Sequence, residues 1–165
     1  GGSLRYYIKK KDNKKFQIYK SVEKQLNIEI KFGLDKLSTY KKFAKLTAKS
    51  KFKLINILKH LKKSGKKVIG YGATAKAATV LNYCNINNNL IDFFLDTTPD
   101  KAYKFMPGKK IKILKYKKNL VSKADYIFLG AWNFKNEIFI KEKDFIKKGG
   151  KFITHVPSPR ILNKW

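Results

Sequence analysis

At 165 residues, 43% hydrophobic and 14% aromatic, the chain has the length and apolar content for one domain with its own core, which excludes a disordered chain. The formal net charge is +28, yet Arg5 and Arg160 are the only arginines among 39 basic residues, and the lysines accompany an excess of Asn, Ile, Phe and Tyr. Those residues share AT-rich codons and the guanidinium fork of specific readers is nearly missing, so a nucleic-acid partner is not expected. The lone Cys84 rules out an intrachain disulfide framework and a cysteine-rich zinc site, while the absence of a membrane-length apolar run or a visible signal peptide gives a cytoplasmic expectation.

Residues 4 to 31 carry LRYYI and FQIYK around the polar KKKDNKK, a pattern that predicts a short hairpin or extended strand pair facing a partner. From Leu34 the period changes. Leu37, Tyr40, Phe43, Ala44, Ala48, Phe52, Ile55, Leu58 and Leu61 recur at steps of three and four, which predicts one long amphipathic helix to about Lys63 with its stripe against a sheet. Ser64 and Gly65 stop it. His60, without a carboxylate or cysteine partner in the pattern, reads as surface or structural.

Residues 67 to 84, KVIGYGATAKAATVLNYC, read as a strand through Val68 and Ile69, a glycine turn, and a helix over Ala73 to Tyr83. Such a turn aims free N–H groups and a positive dipole end at its loop, an anion site. Gly70, Gly72 and Ala75 give G-x-G-x-x-A, a relaxed dinucleotide fingerprint, and Asp96 follows where a ribose-binding carboxylate would sit. A tight turn with no ligand satisfies the same spacing. A phosphate-binding G-x-x-x-x-G-K-[ST] loop is absent.

Leu90 to Leu95 predicts the second strand, with Asp96, Thr97, Thr98 and Pro99 as its exit turn; Ile111 and Ile113 mark a third after Pro107 and Gly108. Asp125 to Ala131 is a continuous apolar run, as for a strand covered on both faces. Trp132, Asn133 and Phe134 leave it, and a helix is expected from Asn136 to Lys148. Lys151 to His155 forms the last strand, with Pro157 and Pro159 closing the sheet. The fold class is therefore α/β, a Rossmann-like parallel sheet with helices on both faces, preceded by a long amphipathic helix. The ligand crevice is expected at the strands' carboxyl ends, with Gly72, Ala73, Thr74 and Lys76 on one side and Asp96, Lys101, Trp132 and Asn133 completing it. His155, at a strand end near that crevice, reads first as structural. From residues alone the ligand is a phosphate-bearing small molecule, and dinucleotide, nucleotide sugar and S-adenosylmethionine are not separable.

Five stretches in order, GYGATAKAATVLNYCNI, LDTTPDK, PGKKIKI, DYIFLGAWNFKNEI and GGKFITHVP, resemble the C-terminal domain of S-adenosylmethionine-dependent sugar C-methyltransferases over residues 67 to 157. GGSLR resembles the end of that family's methyl-transfer domain. The resemblance implies two regions: 1–33 as the tail of an upstream methyl-transfer domain with its connecting segment, and 34–165 as the C-terminal domain, with the helix at 34–63 and the sheet at 66–165. It further implies methyl transfer to a carbon beside a sugar ketone, with this chain helping to hold the nucleotide-linked keto-sugar. Within that reading, Lys76 is a candidate for a phosphate or sugar oxygen and the helix start at Thr74 for anionic charge. S-adenosylmethionine and a family zinc belong to other domains, and the histidine that acts as base in the family lies upstream of the GGSLR motif. Since the chain starts with Gly1 and its one methionine is Met106, it reads as a piece that is catalytically silent alone. Ala102 and Tyr103 depart from the family's glycine after Lys101. The alternatives are a free-standing NAD-type domain, resting on Gly70, Gly72, Ala75 and Asp96, and a basic nucleic-acid module.

Overall fold

The computed structural model describes residues 4–162, in two units, Gly1–Thr47 and Ala48–Trp165. In the first unit no strand forms among the described residues. The expected strand pair is replaced by irregular chain up to Tyr19 and then by helix α1, Lys20–Phe32. The helical signal lies in Val22, Leu26 and Ile30 at four-residue steps, with Glu23 in the first turn and Lys31 in the last, each placed favourably for the helix dipole. Gly33 ends it at φ 78°, where its N–H and that of Leu34 reach back to the carbonyls of Ile30 and Glu29. None of its residues is buried.

Helix α2, Leu37–Lys63, runs through the boundary between the units. It begins after the Gly33–Lys36 turn and not at Leu34, and the turn that follows it carries Gly65 at φ 69°. Its stripe is buried only in the second half, through Leu54, Leu58 and Leu61; Leu37, Tyr40, Phe43 and Phe52 are exposed. The expected core role therefore holds for the last turns of this helix.

The second unit carries a six-stranded sheet. Its strands are β1 (Val68–Tyr71), β2 (Phe93–Asp96), β3 (Lys112–Lys115), β4 (Tyr126–Leu129), β5 (Lys151–Thr154) and β6 (Arg160–Leu162), ordered β3-β2-β1-β4-β5-β6. The first five are parallel. β6 turns back antiparallel on β5, pairing Phe152 with Leu162 and Thr154 with Arg160, so the prolines expected to close the sheet lead into one more strand and the sheet is mixed. Helices α3 (Ala75–Tyr83), α4 (Lys118–Val121), α5 (Lys135–Lys141) and α6 (Lys143–Lys147) join them. The helix expected over 136–148 is broken at Glu142, where φ −104° and ψ 27° leave the helical region.

Alternate strand residues feed two cores. Val68, Phe94, Phe128 and Ile153 pack with the end of α2 and with Ala77 and Leu81 of α3. On the opposite face Ile69, Leu95, Ile127, Leu129 and Phe152 pack with Val121 of α4, Ile138 and Phe139 of α5 and Phe145 of α6. Both faces are thus covered by helices, as a parallel sheet requires. Cys84 is buried in the first core and its thiol is pushed up by burial, with Lys51 opposing, which marks it as packing. No described helix is long and apolar enough to cross a membrane.

Candidate functional site

The strand order reverses at β1. The chain steps outward through β2 and β3, then returns to lay β4 on the other side, and at such a switch the loops leaving β1 and β4 part to open a crevice. Gly72 makes the turn out of β1 at φ 84°. A Cβ there would stand 2.5 Å from that of Ala131, so both the backbone angle and the approach of the β4 exit demand glycine. Gly70 faces the ring of Phe94 at the same hypothetical 2.5 Å and is a packing glycine.

Thr74 starts α3. Its Oγ1 accepts from the N–H of Ala77 at 3.1 Å and donates to the carbonyl of Gly130 at 2.9 Å, which caps the helix and ties it to the end of β4. The N–H groups of Ala75 and Lys76 have no acceptor among the described residues.

Asp96 ends β2 and is 7% exposed. Its Oδ2 accepts from the N–H of Ala73 at 2.7 Å and from Lys101 Nζ at 3.3 Å, and its Oδ1 from the N–H of Thr98 at 2.8 Å. Burial pushes this carboxyl up, but the hydrogen bonds from Thr98, Ala73 and Lys101 outweigh it and hold it below the usual carboxylate range. The residue placed by spacing as a ribose ligand is instead turned inward, where it fastens the β1 turn to the β2 exit.

A groove of about 330 Å³ lies against these loops, lined among others by Tyr71, Gly72, Thr74, Asp96, Lys101, Tyr116, Glu137 and Lys141. Of the expected residues, Gly72, Thr74, Asp96 and Lys101 line it, and Ala73 stands behind it on Asp96. Lys76, Trp132 and Asn133 do not. Lys76 is exposed with Nζ 5.9 Å from the Trp132 ring, Trp132 meets His155 edge-on at 6.4 Å, and Asn133 is exposed. The structure therefore divides the expected constellation into a groove and a separate aromatic corner. In that corner His155 stacks on Phe128 at 5.5 Å, its buried Nδ1 has no partner among the described residues, and burial pushes it down to about 4.

Four residues in or beneath the groove were not singled out from the sequence: Tyr71, Tyr116 and Lys141, which line it, and Glu142, which bonds the two phenols. Glu142, 1% exposed, accepts with Oε1 from the hydroxyls of Tyr71 at 3.1 Å and Tyr116 at 2.8 Å. Burial and then the Glu142 carboxylate push both phenols up, so they remain hydrogen-bond donors. Lys141 Nζ stands 3.7 Å from the centre of the Tyr116 ring, a cation–π contact. Tyr71, inside the GYG turn, was the one member that its place at a strand end could have flagged.

A larger hollow of about 500 Å³ between α4 and α6 is crossed by the Lys118–Asp144 ion pair at 2.6 Å and lies off the strand ends. Among the described residues no group of three or more His, Cys, Asp or Glu is placed to hold a metal ion.

Comparison with known proteins adds an independent line. Residues 1–157 match the family described as C-methyltransferase C-terminal domain. The chain is also 33% identical over 147 residues to C-methyltransferase NovU of Streptomyces niveus, an alignment that takes in 89% of this chain and 35% of that protein. It thus spans about a third of that relative's length. With the sheet, the glycine turn and the family match agreeing, the chain belongs to the C-methyltransferase C-terminal domain family.

Proposed function

We propose that this chain is the substrate-holding part of an S-adenosylmethionine-dependent C-methyltransferase acting on a nucleotide-linked keto-sugar or a similar carbon acid, and that the groove beside β1 takes part of that substrate. The observation that carries the reading is that Gly72, Thr74, Asp96 and Lys101, from two of the stretches that resemble the family, meet in one groove at the switch point of the sheet. In the reaction a base removes the proton beside the ketone and the resulting carbanion takes up a methyl group. The methyl donor supplies that group; Asp96 is already engaged within the chain by Ala73, Thr98 and Lys101.

What this chain contributes is position. The Thr74 cap and the Asp96 tether fix the two loops, Tyr71 and Tyr116 present phenols held by Glu142, and the exposed Lys76 and Asn133 with the half-buried Trp132 form a second contact area at the β4 exit. Residues 1–33 fall inside the family match, and within it they are read as the tail of a methyl-transfer domain with its connecting segment. The support is that α1 buries nothing and leaves Val22, Leu26 and Ile30 exposed, and that the curated relative is nearly three times as long as its aligned part.

The reading is tested by isotope-labelled methyl transfer from S-adenosylmethionine to a thymidine-diphosphate keto-sugar. The 165-residue chain alone is expected to give no product, and the full-length enzyme to give it. Turnover by the 165-residue chain, or calorimetric binding of NAD in preference to the nucleotide sugar, would overturn it.

A further inference from the structure

Between Lys20 and Leu46 the large apolar side chains of the first unit all lie open, and Gly33 is its one buried residue among those described. Such a unit has no core of its own, and apolar surface on this scale marks an interface. Helix α2 makes the pattern specific. Tyr40, Phe43 and Thr47 continue the spacing of Leu54, Leu58 and Leu61, at steps of three, four and seven, so all six share one face of the helix. Leu54, Leu58 and Leu61 are sealed in the core, at most 4% exposed, whereas Tyr40 and Phe43 are 52% and 68% exposed. A helix of 27 residues is about 40 Å long, so a single seam is covered at its end and bare at its beginning.

We propose that the first half of α2 is the seat of the domain that precedes this one in the full-length enzyme, so that one helix is shared by two cores. This takes the chain, as read above, to be part of a longer methyltransferase. The matched family is described as a C-terminal domain, and the curated relative is nearly three times as long as its aligned part. In such a protein the remainder joins at the end where the seam is bare. Charge decides against a second copy as the occupant. Lys41, Lys42 and Lys45 stand on the same turns as Tyr40 and Phe43, and a two-fold pairing would bring another chain of net charge +28 onto them. The consequence for function is orientation: a helix packed into both domains leaves no hinge between them and sets the angle at which the strand ends face the preceding domain.

The test compares amide exchange, by mass spectrometry, in the full-length enzyme and in the 165-residue chain. Amides of residues 40–47 are expected to exchange about tenfold or more slowly in the full-length enzyme, and those of residues 54–61 equally in both. Phe43→Gln should return residues 40–47 to the fast rate in the full-length enzyme. It should leave the thermal midpoint of the 165-residue chain unchanged, because Phe43 covers nothing there. Lys45→Gln, on the opposite face of α2, should alter neither readout. Equal exchange of residues 40–47 in the two proteins would overturn the seat. So would a dimer of the 165-residue chain, or its binding to anionic phospholipid vesicles, that Phe43→Gln abolishes. Equal exchange in an enzyme that methylates the nucleotide sugar sinks the seat and leaves the proposed function standing. Slow exchange in an enzyme inactive on every nucleotide sugar sinks that substrate and leaves the seat.

Discussion

Gly72 is the residue whose replacement the geometry condemns twice. Alanine there would carry a side chain at φ 84° and bring its Cβ within 2.5 Å of Ala131, which moves only with the β4 exit. Gly72→Ala is expected to cost about 2 to 4 kcal/mol, read as a lower midpoint in urea unfolding followed by circular dichroism; an unchanged midpoint would contradict this account. His155 predicts a pH effect. It is held neutral by burial at about 4 against an ordinary 6.5, so between those values the unfolded chain binds the proton that the folded chain refuses. Its contribution is complete above pH 6.5 and is lost as pH falls toward 4. His155→Phe keeps a ring on Phe128 and should shrink the drop in melting temperature between about pH 7 and about pH 4.5. Asp96, with its carboxyl depressed, loses its own contribution only at lower pH, outside that window. An equal drop in wild type and variant would place the acid sensitivity elsewhere.

Among the elements, β1, α3 and β4 were legible because each writes its period and its stop signals locally. The glycine turn, the Thr74 cap and the uninterrupted YIFL run are all within a few residues. The extended reading of residues 4 to 31 rested on LRYYI and FQIYK, which lie before or at the edge of α1, while Val22, Leu26 and Ile30 step by four and agree with the Gly33 cap. β6 was missed because three residues after a pair of prolines carry no period to read. α1 also predicts its own mobility: a 13-residue helix with no buried side chain has little beyond local hydrogen bonds to hold it, and such helices are marginal in water. In the 165-residue chain its amides should exchange with solvent far faster than those of β1 and β4, by hydrogen-exchange mass spectrometry. Protection equal to those strands would show that α1 is covered.

Across the second unit, the sheet order puts the two halves of the chain's chemistry side by side. β1 sits between β2 and β4, so the turn at Gly72, the Asp96 exit and the Ala131 exit converge although they are far apart in sequence. The sequence by itself determined the α/β class, the long second helix, the glycine turn, the family resemblance and four of the residues that line the groove, because period, caps and motif spacing are local properties. Only the tertiary structure decided that Asp96 faces inward, that Lys76, Trp132 and Asn133 stand apart from the groove, and that Glu142 joins Tyr71 to Tyr116 beneath it. Those outcomes depend on which side chains meet across strands and helices 26 and 71 residues apart. A pairing at that distance is set by the packing of the whole sheet and leaves no periodic trace along the chain.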